Sequence, residues 1–225
     1  MLADLTAGAV QDAEARASER PFAAVERAAL VQPAARDALA VLAPADRVKI
    51  IAEVKRASPS RGDLAAIPDP AHQARLYEQG GASTISVLTE GRRFKGSLAD
   101  LVLLIVAALE QDVLSRLHAL TLELGMTPLV ETHSADEVAR ASDVGAKLIG
   151  VNARDLSTFA LDRDLFGRLS DGIPSDAIKI AESAVLTPAD VAHYRAAGAD
   201  VVLIGEALVT GDPVATLTAF LEAGS

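Results

Sequence analysis

The sequence of 225 residues has no cysteine and no tryptophan, and aromatic residues make up only 3% of it. Without cysteine there is no disulfide framework, no thiolate zinc site and no cysteine nucleophile. Long apolar runs are also missing. The longest, Leu101–Leu109, falls well short of the roughly 20 residues that cross a bilayer. The opening stretch MLADLTAGAVQDAEARASERP carries acids and arginines early and lacks a signal-type apolar core, so a cytoplasmic location is expected. Positive charge is in deficit, with 21 Lys+Arg against 31 Asp+Glu and a net charge of −10. Such a chain repels a phosphate backbone, so neither nucleic acid nor a membrane surface is an expected partner. A small anionic substrate stays compatible with this charge wherever cations gather locally.

Half the residues are apolar, and their arrangement predicts the fold. Residues 1–46 are Ala-rich and charged, with interruptions at Arg20-Pro21 and Pro33, and read as an N-terminal helical extension. From Val48 the pattern changes to short, β-branched apolar runs: Val48–Val54, Thr84–Leu88, Leu101–Ala107, Thr127–Val130, Lys147–Val151, Ala177–Ala181 and Asp200–Ile204. Continuous apolar runs of this length suit parallel strands covered on both faces. Helix-start signals lie between them at Asp69-Pro70, at Ser134 with Glu137, and at Thr187-Pro188 with Asp190. Gly81-Ala82, Gly145-Ala146 and Gly198-Ala199 each close a helix just before a strand, a small internal repeat. Alternating βα units predict a TIM-type (β/α)8 barrel over residues 47–225, the whole chain forming a single domain. A dinucleotide-binding open sheet is disfavoured, because no G-x-G-x-x-G follows the first strand.

Seven strands can be read where a closed barrel needs eight. The shortage falls between Leu88 and Leu101, where TEGRRFKGSLAD must serve as both loop and crossover. Parallel neighbours need a crossover of about a dozen residues or more, usually with a helix, so one unit is short and the barrel is expected to be incomplete.

In such barrels the chemistry sits at the C-terminal strand ends. Strand alternation puts Glu53 and Lys55 on one inward face, where they can hold each other charged or exchange a proton with a substrate. Later runs end at Glu131, at Asn152 with Arg154, and at Glu182-Ser183. Buried charges cost several kcal/mol each unless paired, so their convergence at one mouth points to function. Glu53, Glu131 and Glu182 could chelate a metal, but no His accompanies them on those strands and cationic and amide groups compete; neither metal nor cofactor is expected. The loops at Ser183-Ala184 and Gly205-Glu206 suit a phosphate held by backbone N–H groups. Arg92, Arg93 and Lys95 form the densest basic patch. The four histidines read as surface or packing residues.

These motifs carry a resemblance. Ile51-Ala-Glu-Val-Lys-Arg-Ala-Ser-Pro-Ser60, Leu88-Thr-Glu with Arg93-Phe94 and Gly96-Ser97-Leu98, Leu129-Val-Glu-Thr-His133, Gly150-Val-Asn-Ala-Arg-Asp-Leu156 and Ala181-Glu-Ser183 resemble indole-3-glycerol phosphate synthase. The resemblance is close over residues 48–225 and looser before them. It implies a (β/α)8 barrel preceded by helices and a step of tryptophan biosynthesis. In that step 1-(2-carboxyphenylamino)-1-deoxyribulose 5-phosphate closes a ring, then loses carbon dioxide and water. It also implies catalytic roles for Glu53, Lys55, Glu131, Asn152 and Glu182. Substrate contacts are implied for Ser58, Arg154, Ser183, Ala184, Gly205 and Glu206. Lys55 would protonate the carbonyl, and Glu53 or Glu131 would take up the ring proton and assist dehydration.

The chain departs from that family twice. The Lys-Asp-Phe motif of the third strand, whose Lys contributes to catalysis, is absent, as though roughly 30 residues, one βα unit, were cut out around Ala99-Asp100-Leu101. An impaired synthase is therefore expected, the other reading being a vestigial barrel that still binds an anionic ligand or a partner. Phosphoribosylanthranilate isomerase, which uses a Cys and Asp pair, ranks below both in a chain without Cys. Exposed edges would permit a swapped homodimer as well as a monomer. In the second departure, Ala184 stands where the family prefers Gly, which is costly if that residue needs a positive φ.

Overall fold

Proline and capping residues divide the first 46 residues into three helices, α1 (Leu2–Glu19), α2 (Phe22–Leu30) and α3 (Ala38–Leu42). The computed structural model describes residues 2–58, 61–88 and 103–225. The breaks fall at Arg20-Pro21 and around Pro33, and the Asp37 carboxylate starts α3 by accepting the Ala40 N–H at 3.0 Å. After α3 come β1 (Lys49–Val54), a two-stranded hairpin of β2 (Ala57–Ser58) and β3 (Gly62–Asp63), α4 (Pro70–Gln79) and β4 (Thr84–Val87). The chain continues through β5 (Leu103–Ile105), α5 (Gln111–Glu123), β6 (Leu129–Thr132), α6 (Ala135–Asp143), β7 (Leu148–Asn152), α7 (Leu165–Leu169) and β8 (Ile178–Glu182). It ends with α8 (Pro188–Ala196), β9 (Val201–Ile204), α9 (Glu206–Val209) and α10 (Pro213–Ala223).

The start signals act as local chemistry requires. Asp69 accepts the His72 N–H, Ser134 accepts the Glu137 N–H, and Thr187 with Asp190 forms a capping box. Each helix-closing glycine of the internal repeat adopts a left-handed φ, 92° at Gly81, 76° at Gly145 and 90° at Gly198. Only glycine takes this turn without a Cβ penalty.

Seven strands form one parallel sheet in the order β4-β1-β9-β8-β7-β6-β5. The strands on either side of the short crossover, β4 and β5, lie at opposite edges of this sheet. Among the described residues β4 pairs only with β1, and β5 only with β6. Among the described residues the sheet is an incomplete (β/α)8 barrel, in which β4 and β5 do not pair with each other. The loop bearing Arg92, Arg93 and Lys95 lies outside the described residues, as do Leu101 and Val102.

One strand is shorter than expected. Leu101–Ala107 reads as a strand, yet β5 ends at Ile105 and a single 3-10 turn, Val106–Ala108, follows. Arg140 on α6 donates to the carbonyl oxygens of Val106 and Leu109, so this backbone is satisfied by a side chain rather than by a ladder.

Alternation sorts the core into two layers. Outward residues such as Ile50, Ala52, Val54, Ile149 and Val202 pack beneath the helices. Inward residues of β1, β6, β7, β8 and β9 meet in a second cluster that includes Ile51, Leu129, Leu148, Ile180 and Val201. Leu42 of α3 joins this inner cluster. α3 thereby closes the barrel interior from below, the polar groups are left to the opposite end, and Thr6 and Ala9 of α1 lie at that other end, against the cavity.

Asp190 is the most heavily used cap. It is buried, accepts from Leu186 N, Thr187 N and Thr187 Oγ1, and pairs with Arg163 at 2.6 Å. Asp190→Ala should lower stability by about 2 kcal/mol, read as a reduced urea midpoint. An unchanged midpoint would contradict this.

Candidate active site

The same alternation carries each inward row from apolar residues to chemical groups. On β1 the row runs Ile51, Glu53, then Lys55. On β6 it runs Leu129, Glu131, then His133, and on β7 Leu148, Gly150, then Asn152. On β8 it runs Ile178, Ile180, then Glu182, and on β9 Val201, Leu203, then Gly205. Parallel register sets Glu131 beside Gly150, Asn152 beside Glu182, and Glu182 beside Leu203. The polar ends therefore meet at the C-terminal mouth, around a cavity of about 650 Å³.

Glycine makes room for the acids. A Cβ at Gly150 would lie 1.8 Å from Glu182 Oε1, and one at Gly205 would lie 2.6 Å from Glu53 Oε2. Any side chain at either position would drive a carboxylate out of place.

Glu53, Glu131 and Glu182 are all buried. Lys55 Nζ stands 2.5 Å from Glu53 Oε2 as an ion pair that lacks hydrogen-bond angles. Burial pushes Glu182 well above the usual carboxylate range, and the neighbouring Glu131 and Glu53 charges add to the rise. Glu131 is also raised by burial, but His133 and hydrogen bonds from Glu182 and Asn152 oppose the rise. Of these two adjacent carboxyls Glu182 is the more strongly raised, and their mutual hydrogen bond raises Glu182 while lowering Glu131, which favours a proton on the Glu182 side of the pair. Among the described residues, Glu53 Oε2, Glu182 Oε1 and His133 Nε2 are buried without a hydrogen-bond partner. Buried polar atoms are rarely left so, and the two on Glu53 and Glu182, which line the cavity, mark a place for a ligand.

All eleven residues singled out from the sequence line this cavity: Glu53, Lys55, Glu131, Asn152 and Glu182, with Ser58, Arg154, Ser183, Ala184, Gly205 and Glu206 around them. Asn152 Oδ1 accepts the Arg154 N–H at 3.0 Å, tying the β7 loop back to its strand. Two participants escaped the sequence reading. Arg61 of the hairpin reaches across to Glu206 at 3.0 Å, a contact no local pattern announces. His133 is neither a surface nor a packing residue: it lies between Glu131 and Glu137, 3.4 Å from each. The signal for it was present, since His133 sits two residues beyond Glu131 on an inward row.

The turn after β8 is left-handed at two non-glycine residues, Ser183 with φ 65° and Ala184 with φ 54°. Position 184 thus has the positive φ that glycine relieves. Ala184→Gly should raise stability by about 1 kcal/mol, measured by urea unfolding, and a loss of stability would contradict this. A second expectation concerns pH. Glu182 keeps its proton above the ordinary value, so above about pH 4.3 the folded chain binds more protons than the unfolded one. Stability should then fall as pH rises, by up to about 1.4 kcal/mol per unit for one proton, until Glu182 ionises in the fold. Glu182→Gln should flatten this slope, and an unchanged slope in unfolding curves taken between pH 5 and 8 would refute it.

The family model for indole-3-glycerol phosphate synthase matches the chain in two pieces, residues 2–101 and 97–220. Ser97–Leu101 is claimed by both pieces, so the break in the family pattern falls where β4 and β5 fail to meet. The indole-3-glycerol phosphate synthase of Leifsonia xyli subsp. xyli is 63% identical over 253 residues, covering 98% of this chain and 97% of its own. That of Rhodococcus opacus is 48% identical over 252 residues, covering 97% and 93%. An alignment of 253 positions against 225 residues leaves at least 28 (253 less 225) without a counterpart here. Among solved structures, a thiamine phosphate pyrophosphorylase from Pyrococcus furiosus shares the fold alone, with a TM-score of 0.58 and 12% identity, over 78% of this chain and 95% of that one. Motifs, site geometry and relatives agree: the chain belongs to the indole-3-glycerol phosphate synthase family.

Proposed function

We propose that this chain converts 1-(2-carboxyphenylamino)-1-deoxyribulose 5-phosphate to indole-3-glycerol phosphate, at a rate cut by the absent βα unit. The observation that carries this reading is the gathering of Glu53, Lys55, Glu131, Asn152 and Glu182 around one cavity, beside the Ser183-Ala184 and Gly205-Glu206 turns. In ring closure the aryl carbon bearing the carboxylate bonds to the ketone carbon. Lys55, the cation beside Glu53, would give the carbonyl oxygen its proton. Departure of carbon dioxide then returns the bonding electrons to the ring. In dehydration the new ring loses its hydroxyl as water and a proton to a carboxylate. Glu182, which holds a proton, is suited to donate to the leaving hydroxyl, and Glu131 or Glu53 to accept. Asn152 and Arg154 would orient the substrate's carboxylate and hydroxyls. Ser58, Ser183, Ala184, Gly205 and Glu206 would face its phosphate. No metal or cofactor enters this scheme.

The third-strand Lys of the family has no equivalent in this sequence, and losing one acid–base group costs about 100-fold or more. A cytoplasmic location follows from the same reading. No helix among the described residues is long and apolar enough to cross a membrane. The edges of β4 and β5, each without a second neighbour among the described residues, support exchange between two copies as one route to a homodimer, the other state being a monomer.

The test is an intact-mass measurement followed by the ring-closure assay on the same sample, with the Leifsonia relative alongside. Slow but measurable product, at least ~100-fold below the relative, is expected, and Lys55→Ala should abolish it. Turnover near that of the relative would overturn the impairment. No product above the uncatalysed rate would overturn the assigned reaction.

A further inference from the structure

His133 stands beside the carboxylates but has no role in the scheme above. Its place is set by the turn from β6 to α6. Ser134 Oγ caps α6 by accepting the Glu137 N–H at 3.2 Å, and Glu137 Oε2 folds back to accept the His133 backbone N–H at 2.8 Å. The same oxygen lies 3.4 Å from His133 Nδ1, which orients the ring. On the opposite side His133 Nε2 is buried, lacks a hydrogen-bond partner among the described residues, and faces Glu131 Oε1 at 3.4 Å. Both ring nitrogens therefore face carboxylates. Only the imidazolium has an N–H for each of them.

We propose that His133 is a positioning residue: held by Glu137, it carries the positive charge that keeps Glu131 the ionised member of the Glu131–Glu182 pair and leaves the shared proton on Glu182. This rests on the reading of Glu131 as a proton acceptor. The charged groups around the ring agree in sign. Glu131 faces it from β6, Glu137 from α6 and Asp155 from the loop after β7. Glu182 on β8 and Glu53 on β1, the latter paired with Lys55, lie beyond Glu131. Burial alone would lower the His133 value, but the hydrogen bond to Glu137 and the surrounding carboxylates outweigh it and hold it above the ordinary value.

Two measurements on the whole chain test this. The first needs no activity. Nuclear magnetic resonance should show the His133 imidazole titrating above its ordinary value of about 6.5, and about one unit lower in Glu137→Gln. In protein with carbon-13-labelled glutamate carboxyls, Glu131 should titrate about one unit higher in His133→Gln than in the unchanged chain. The second is the pH profile of ring closure. His133→Gln should move the acid limb of kcat/KM up by about one unit and lower kcat about 10-fold, with KM less affected. His133→Lys, which keeps the charge, should restore the limb. A His133 titration at or below the ordinary value, or an unmoved Glu131 in folded His133→Gln, would overturn the proposal. Glu137→Gln keeps the test alive if His133→Gln does not fold. If no product forms at all, the assigned reaction fails, and the two titrations still decide the role of His133.

Discussion

Three carboxyl groups buried around one cavity are the constraint on which the rest of this structure depends. Glu53, Glu131 and Glu182 sit together at the strand ends, where each unpaired charge would cost several kcal/mol. The fold offsets that cost in three ways. Lys55 neutralises Glu53, a proton shared with Glu131 neutralises Glu182, and two glycines supply the space the acids occupy. Each is a side-chain choice on an inward strand position, so the electrostatics of the mouth and the geometry of the sheet cannot be separated. The apolar inner layer beneath, which Leu42 joins, fills the lower barrel and leaves these groups to the upper end.

The missing unit shows how far such a barrel tolerates loss. Five of the seven strands, β1, β6, β7, β8 and β9, carry the site, and they are consecutive in the sheet apart from the edge strands β4 and β5. A break between β4 and β5 therefore leaves the carboxylate cluster and the turns after β8 and β9 in register. What it removes is a strand's worth of side chains from the same mouth. It also leaves two parallel edges with no neighbour among the described residues, an arrangement that natural sheets usually cover or blunt.

Much of this was legible in the sequence because period and spacing are local properties. Alternation alone puts Glu53 and Lys55 on one face, and the contraction between Leu88 and Leu101 already predicts a sheet one strand short. The caps at Asp69, Ser134 and Thr187 were equally readable, since a cap is decided within four residues. The rest depended on contacts that no window contains. Arg61 meets Glu206 across most of the chain's length, and the Arg140 contacts where β5 ends come from α6, with α5 and β6 between. His133 lies between these cases. Its inward position followed from the pattern of β6, but its meaning depended on Glu137 folding back over the same turn.

The central claim is that Glu182 keeps its proton well above the usual carboxylate range inside a mouth built to hold it so. The most direct measurement is the infrared difference spectrum between the unchanged chain and Glu182→Gln at about pH 5.5, above the ordinary glutamate value of about 4.3. A protonated-carboxyl C=O band present in the chain and lost in the variant is the result expected. A folded chain with no such band, all its carboxyls absorbing as carboxylates, would contradict the account.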